Sequence, residues 1–315
     1  MHKSLTKITD LTPEEVELIL KKAFEFKTQK DNGLQSENLL HGKVVAMVFE
    51  KQSLRTRVAF ETATISLGGF PIFLPEAQII SGAENGPRES ISDITKNLER
   101  FSDLLIARVY KHETILEMAS STNKPIINAL CDLHHPTQAL ADLMAIKWHK
   151  HGSLGDLKVT FIGDGNNVAT SLMHICAMMG INFAIASPAG YAISKDEQYI
   201  GAQLADKHKT TLEFLESPQD AVKNADVVYT DTFVSMGQEA ETVKRLKDFR
   251  DYQINGQLLG EASKDAIFMH CLPAHRGQEV TDEVISGPQS IVFDEAECRL
   301  HIAKALLYFY LCNEL

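Results

Sequence analysis

Lys51, Arg55 and Arg57 fall within seven residues, interleaved with Ser53 and Thr56, in the stretch FEKQSLRTRVAFET from 49 to 62. Ser53 stands where a helix N-cap would follow an apolar run ending at Phe49. A helix start offers backbone N–H groups and a positive dipole end. Arg55 adds a planar, two-pronged donor, and the Ser53 and Thr56 hydroxyls complete a set of groups suited to a phosphate. Taken alone, a capped helix with surface arginines is the more ordinary outcome, so the neighbouring strand ends must decide.

They repeat the pattern. Arg108 follows LLIA; His135 and Gln138 lie in HHPTQ after PIINAL; GDGNN (163–167) follows KVTFI; DTFVSMGQE (231–239) follows DVVYT; HCLPAHRG (270–277) follows AIFM. Ligands of open α/β sheets collect beyond the carboxyl ends of the strands, which is where all of these residues fall. Each has an ordinary structural explanation when taken singly, such as a turn proline after His135 or a buried thiol at Cys271. Their recurrence points to a cleft.

The elements that position them are short, β-branched runs alternating with helical patterns. Expected strands are 43–49, 104–109, 125–129, 158–163, 182–187, 226–230, 266–270 and 290–293; helical spacing marks 12–27, 137–149 and 294–313. Continuous apolar runs suit strands covered by helices on both faces. The fold class is therefore α/β, with two lobes, each a parallel sheet flanked by helices, and a C-terminal helix packing back on the first lobe. A turn-rich segment, HKHGSLGDLK at 149–158, sets the expected boundary: 1–149, with 294–315 returning to it, and 150–293.

Length supports two lobes, since 315 residues exceed the size of one ordinary domain. A net charge of −11 argues against a general nucleic-acid surface, leaving room only for a local basic pocket. No run approaches the length of a membrane span and the N-terminus lacks an apolar signal core, so the chain reads as cytoplasmic. Five cysteines without close pairing read as reduced thiols. A zinc site built from Cys131, Cys271 and the nearby histidines 134, 135, 270 and 275 lacks the paired close spacing of structural zinc. A nicotinamide enzyme is disfavoured: after Gly163 and Gly165 the third glycine position is Val168, and the next strand ends in Ser187 without an acidic ribose partner.

S-x-R-T-R, ARVY, HPTQ, GDGNN, D-T-x-V-S-M-G-Q-E and HCLPAHRG, in this order over nearly the whole chain, closely resemble the aspartate/ornithine carbamoyltransferase family and its ornithine branch, which SMG and HCLP mark. The resemblance implies transfer of the carbamoyl group of carbamoyl phosphate to the δ-amine of L-ornithine, giving citrulline and phosphate, with no metal or organic cofactor. By resemblance, Ser53, Leu54, Arg55 and Thr56 hold the phosphate; Arg108, His135 and Gln138 bind the carbamoyl end; Arg299 closes the phosphate site. Asn167, Asp231, Ser235 and, through its backbone, Met236 bind ornithine. Cys271 and Leu272 lie near the δ-amine and the carbamoyl group. Arg55, Arg108, His135 and Cys271 carry the catalytic roles.

The resemblance also implies a homotrimer, carbamoyl phosphate binding first, the SMGQE segment as a closing loop, and a place in arginine biosynthesis. The chain departs from the family pattern in four places. Leu54 replaces a Thr, Phe233 a Trp, and Cys298 an Asn or similar residue; the segment before Gly86 is a few residues longer than the family norm.

Overall fold

The structure is a computed structural model that describes residues 4–34, 36, 38–75, 89–151, 154–235 and 237–312. The chain divides into two compact units, Met1–Ala141 with Glu297–Leu315, and Asp142–Ala296. The division falls inside two helices, Pro136–His149 and Val292–Leu311.

The first unit carries four parallel strands, β1 (Val44–Phe49), β2 (Phe70–Pro75), β3 (Leu104–Arg108) and β4 (Ile126–Leu130), in the order β2-β1-β3-β4. The chain starts in the middle and winds outward in both directions, so the strand order reverses between β1 and β3. One face is filled by Ala46, Val48, Leu105, Ala107, Ile115, Met118 and Ile126. The N-terminal segment covers the β4 edge: Leu5 donates to the Ile126 carbonyl at 2.7 Å, and Asn128 donates back to Leu5 at 2.8 Å.

Helix α1 (Pro13–Asp31) begins with a reciprocal cap between Thr12 and Glu15 and a proline at its first position. The C-terminal helix packs back on this unit: Lys30 pairs with Glu297 at 2.7 Å, Lys304 donates to Ser36, and Lys22 lies 4.5 Å over the Tyr308 ring.

The second unit holds β5 (Lys158–Ile162), β6 (Asn182–Ala186), β7 (Leu212–Leu215), β8 (Val227–Thr230) and β9 (Ile267–His270), all parallel, in the order β7-β6-β5-β8-β9. Here the order reverses between β5 and β8. Ile162, Val228, Phe268, Phe233, Phe249 and Ile254 share one apolar cluster of this unit.

Three elements differ from expectation. The strand expected at 290–293 is only an isolated bridge from Ser290 to Phe268. Ile291 donates to the Phe268 carbonyl, and the chain then turns into the last helix at Val292, whose first turn carries Asp294 and Glu295. β2 and β7 were not expected, and both are edge strands. β2 contains Pro71 and Pro75, which cannot donate to a ladder, and β7 is four residues long and interrupted by Glu213.

Candidate active site

At the reversal point of the first sheet, Ser53 caps helix α2 (Leu54–Ser66) by accepting from the Thr56 N–H at 3.3 Å. Thr56 is buried, and its hydroxyl accepts a short hydrogen bond from the Arg299 guanidinium. The Arg55 Nε is buried and, among the described residues, has no hydrogen-bond partner. A guanidinium N–H in that state is poised for an incoming acceptor. Leu54, by contrast, is 73% exposed.

The basic cluster of the sequence splits. Arg57 turns outward, bonded to Glu61 at 3.0 Å and stacked 3.7 Å over the Phe73 ring. Lys51 stays near the strand end, 4.7 Å over the Tyr110 ring; burial and the charge of Arg108 lower its pKa.

Arg108 ends β3 opposite Phe49, where the register with β4 shifts between Ala107 and Arg108. Such irregularities re-aim a side chain. His135 lies in the turn after β4, and its carbonyl accepts from the Gln138 and Ala139 N–H groups, starting the 136–149 helix. Gln138 is fully buried.

The His135 ring is buried, and its pKa falls well below the usual histidine value because of that burial and of the charges on Arg299, Arg108 and Arg55. The imidazole is therefore neutral at physiological pH. The Thr137 hydroxyl lies 3.3 Å from Nδ1, and a neutral imidazole keeps one ring nitrogen as a donor and the other as an acceptor. Three guanidinium groups around a neutral imidazole can bind a dianion while polarising a carbonyl oxygen.

At the reversal point of the second sheet, GDGNN follows β5 and Asp231 follows β8. Gly165 is required by sterics: a Cβ there would lie 2.1 Å from the Ile193 nitrogen. This close approach explains the glycine without a dinucleotide. Asn166 caps the Asn167–Met178 helix and also donates to Asp231 at 2.8 Å. Asn167 is the first residue of that helix.

Asp231 further accepts from the Thr232 N–H at 2.8 Å and from the Cys271 thiol at 3.1 Å. Burial, then the charge of Asp231, pushes the thiol pKa well up, so Cys271 is protonated. A protonated thiol donating to a carboxylate is a poor nucleophile. Leu272 adopts φ 56°, a left-handed conformation that side chains disfavour and that clusters at functional sites. Its N–H donates to His270 Nδ1 at 2.9 Å, so the His270 proton sits on Nε2, 3.2 Å from Glu279.

Asp231, His270 and Cys271 each offer a potential ligand atom within 4.8 Å of the others. Both ring nitrogens of His270 are engaged in hydrogen bonds, however, so the trio reads as a hydrogen-bonded group. Ser235 begins the SMG turn, its N–H bonded to the Gln238 side chain, and Gly237 has φ 92°. Met236 and the 76–88 loop lie outside the described residues.

Several participants escaped the sequence reading. Arg245 forms a buried pair with Asp164 and donates from Nε to the Phe233 carbonyl at 2.6 Å, tying the GDGNN turn to the 231–238 loop. Burial raises the Asp164 pKa to about 6 even against the adjacent Arg245. Asn166 carried a signal, being one of two asparagines in its motif; Arg245 stands in a plain helical segment and carried none.

Two parallel α/β units, one with an arginine cluster around a buried histidine and the other with a part-buried carboxylate–thiol pair, each at a reversal of strand order, are the frame of an α/β enzyme that acts on small charged substrates. Family models for the aspartate/ornithine carbamoyltransferase carbamoyl-P binding domain and Asp/Orn binding domain match residues 3–148 and 155–310. The ornithine carbamoyltransferase of Carboxydothermus hydrogenoformans is 46% identical over 302 residues, covering 95% of this chain and 94% of its own. The anabolic ornithine carbamoyltransferase of Pyrococcus furiosus is 46% identical over 304 residues, covering 95% and 93%. The solved structure of the Pyrococcus furiosus ornithine carbamoyltransferase superposes with a TM-score of 0.92 at 44% identity over 97% of this chain and 96% of that one. The chain belongs to the aspartate/ornithine carbamoyltransferase family.

Proposed function

We propose that the protein transfers the carbamoyl group of carbamoyl phosphate to the δ-amine of L-ornithine, releasing L-citrulline and phosphate. The observation that carries this reading is the convergence of Arg55, Arg108 and Arg299 on the neutral His135. Ser53, Leu54 through its backbone, Arg55, Thr56 and Arg299 hold the phosphate, and Arg108, His135 and Gln138 hold the carbamoyl end. Asp231 pairs with the α-ammonium of ornithine, with Asn167, Ser235 and Met236 on its α-carboxylate side and Cys271 and Leu272 near the δ-amine.

The lone pair of the neutral amine attacks the carbamoyl carbon, charge gathers on the carbonyl oxygen under Arg108, His135 and Thr56, the C–O bond to phosphate breaks, and the proton shed by the amine ends on the released phosphate. No covalent enzyme intermediate is needed, which suits a protonated Cys271. Carbamoyl phosphate binds first, and the SMGQE segment closes over the amino acid.

Residues 1–149, with the helix from 294, form the carbamoyl-phosphate lobe, and 150–293 the ornithine lobe. The sequence HCLPAHRG and the anabolic Pyrococcus relative favour the arginine-forming direction in the cytoplasm. A homotrimer is supported by the apolar side chains left exposed on the first unit, among them Phe70, Ile72, Val58 and Ile65.

Substitutions that split the two substrates test the assignment. Asp231→Asn raises the ornithine KM by roughly 10- to 100-fold, the range for a hydrogen bond to a charged group, and leaves carbamoyl phosphate binding near wild type. Arg299→Ala does the reverse. Loss of carbamoyl phosphate binding in Asp231→Asn would contradict the reading.

A further inference from the structure

Beneath the HCLP turn lies a group of polar side chains that the proposed chemistry leaves unused. Tyr229 on β8, Asp142 on the 136–149 helix and Glu295 on the last helix are all fully buried. The Tyr229 hydroxyl is 3.1 Å from Glu295 Oε1 and 3.3 Å from Asp142 Oδ1, and the tyrosine ring is stacked on Phe161 at 5.4 Å. The other Glu295 oxygen, Oε2, accepts from the His270 N–H at 2.9 Å. His270 immediately precedes Cys271 and Leu272.

We infer that Glu295 is a positioning residue for ornithine: wedged between Asp142 and Tyr229, it holds the His270 N–H and so fixes the strand end that carries Cys271 and Leu272. The inference rests on the reading of Cys271 and Leu272 as part of the ornithine site.

Three tethers hold this turn. The His270 ring takes the Leu272 N–H, Glu279 takes the His270 Nε2 and the His275 N–H, and Glu295 takes the His270 N–H. Of the three, only Glu295 lies on another helix; beside them the Cys271 thiol ties the turn to Asp231 at the end of β8. Removing Glu295 strands one buried donor, the His270 N–H, and leaves the Tyr229 hydroxyl to Asp142 alone; a stranded buried donor is expensive.

Glu295 and Asp142 also bond to one another, which requires a proton between the two carboxyl groups. Burial and the nearby Asp142 charge hold Glu295 in its protonated form. The titratable groups facing the pair are Tyr229, Cys271, Asp231 and Cys176. A glutamine fits this arrangement: its carbonyl can accept from His270, and its amide can donate to Asp142.

The sign of the linkage follows from the raised pKa. The unfolded chain loses the Glu295 proton near the ordinary carboxylate value while the folded chain keeps it, so this group makes stability fall as pH rises above about 4.5. Glu295→Gln removes that contribution.

The test compares wild type, Glu295→Gln, Glu295→Ala and Cys271→Ala by citrulline kinetics, carbamoyl phosphate calorimetry and thermal melting from about pH 5 to about pH 9. Glu295→Ala is expected to lower kcat/KM for ornithine by at least about 10-fold while carbamoyl phosphate binding changes less than about threefold. Glu295→Gln keeps ornithine kinetics within about threefold of wild type, and its melting temperature declines less toward alkaline pH. If Glu295→Ala does not fold, the kinetics and pH profile of Glu295→Gln carry the test.

Ornithine kinetics unchanged in Glu295→Ala, or an equal loss for both substrates, would overturn the inference. So would a Glu295→Gln variant as impaired for ornithine as a disrupted site, or one whose melting declines with pH as steeply as wild type. Cys271→Ala separates the premise from the inference. If it leaves ornithine kinetics untouched, the site reading fails; if it impairs them while Glu295→Ala does not, the positioning role alone fails.

Discussion

His135 is held neutral by burial and by three guanidinium charges, and that state determines what it can do. A neutral imidazole donates one hydrogen bond to a developing oxyanion without placing a fourth cation beside the arginines. NMR titration of the His135 ring is therefore expected to show no protonation from about pH 8 down to about pH 5, below the ordinary histidine midpoint. Leu54 makes a second prediction. Its side chain is 73% exposed, so the family Thr contributes little through its hydroxyl. Leu54→Thr is expected to change the carbamoyl phosphate KM by less than about threefold, as is usual for surface substitutions; recovery from near-zero activity would show otherwise. Asp164 supplies a pH dependence: with its pKa raised to about 6, the ion pair with Arg245 is complete only above that value. Binding of an ornithine analogue lacking the δ-amine should weaken as pH falls through about 6, and Arg245→Leu should weaken it above that pH, where it removes the partner of the Asp164 carboxylate.

At the scale of elements, both sheets place their chemistry where the strand order reverses, between β1 and β3 and between β5 and β8. The strand-end motifs were legible because such positions combine an apolar run with an abrupt polar segment, and the Ser53 cap was legible because its residue type has one strong local use. β2 and β7 were not legible, since edge strands tolerate Pro71, Pro75 and Glu213 that a central strand would reject. The apolar 290–293 segment was misread because its four residues fit the start of a buried helix as well as a strand. Arg245 and Glu295 were illegible for a different reason: each acts through a backbone group distant in sequence, Phe233 and His270, and local pattern does not encode such partners. Gly165 gives the test of the turn geometry. Gly165→Ala would drive a Cβ into the 192–193 backbone and shift Asn166 and Asn167. A loss of more than about 2 kcal/mol in denaturant unfolding is expected, with ornithine binding impaired in whatever folds.

At the scale of the whole molecule, an acidic excess coexists with a local basic site because Arg55, Arg108 and Arg299 are gathered around His135. No helix among the described residues is long and apolar enough to cross a membrane. The exposed Phe70 and Ile72 on the β2 edge are a surface that a second copy would cover. Light scattering is expected to give a mass three times the 35.0 kDa of one chain, and Phe70→Glu with Ile72→Glu to shift it toward a single chain. The most direct measurement of the account is product formation from carbamoyl phosphate with ornithine, aspartate, putrescine and N-acetylornithine offered in parallel. Citrulline and phosphate in equal amounts with ornithine, and no carbamoyl product from the other three, is the predicted result; turnover with another amine in place of ornithine, or none with any, would contradict it.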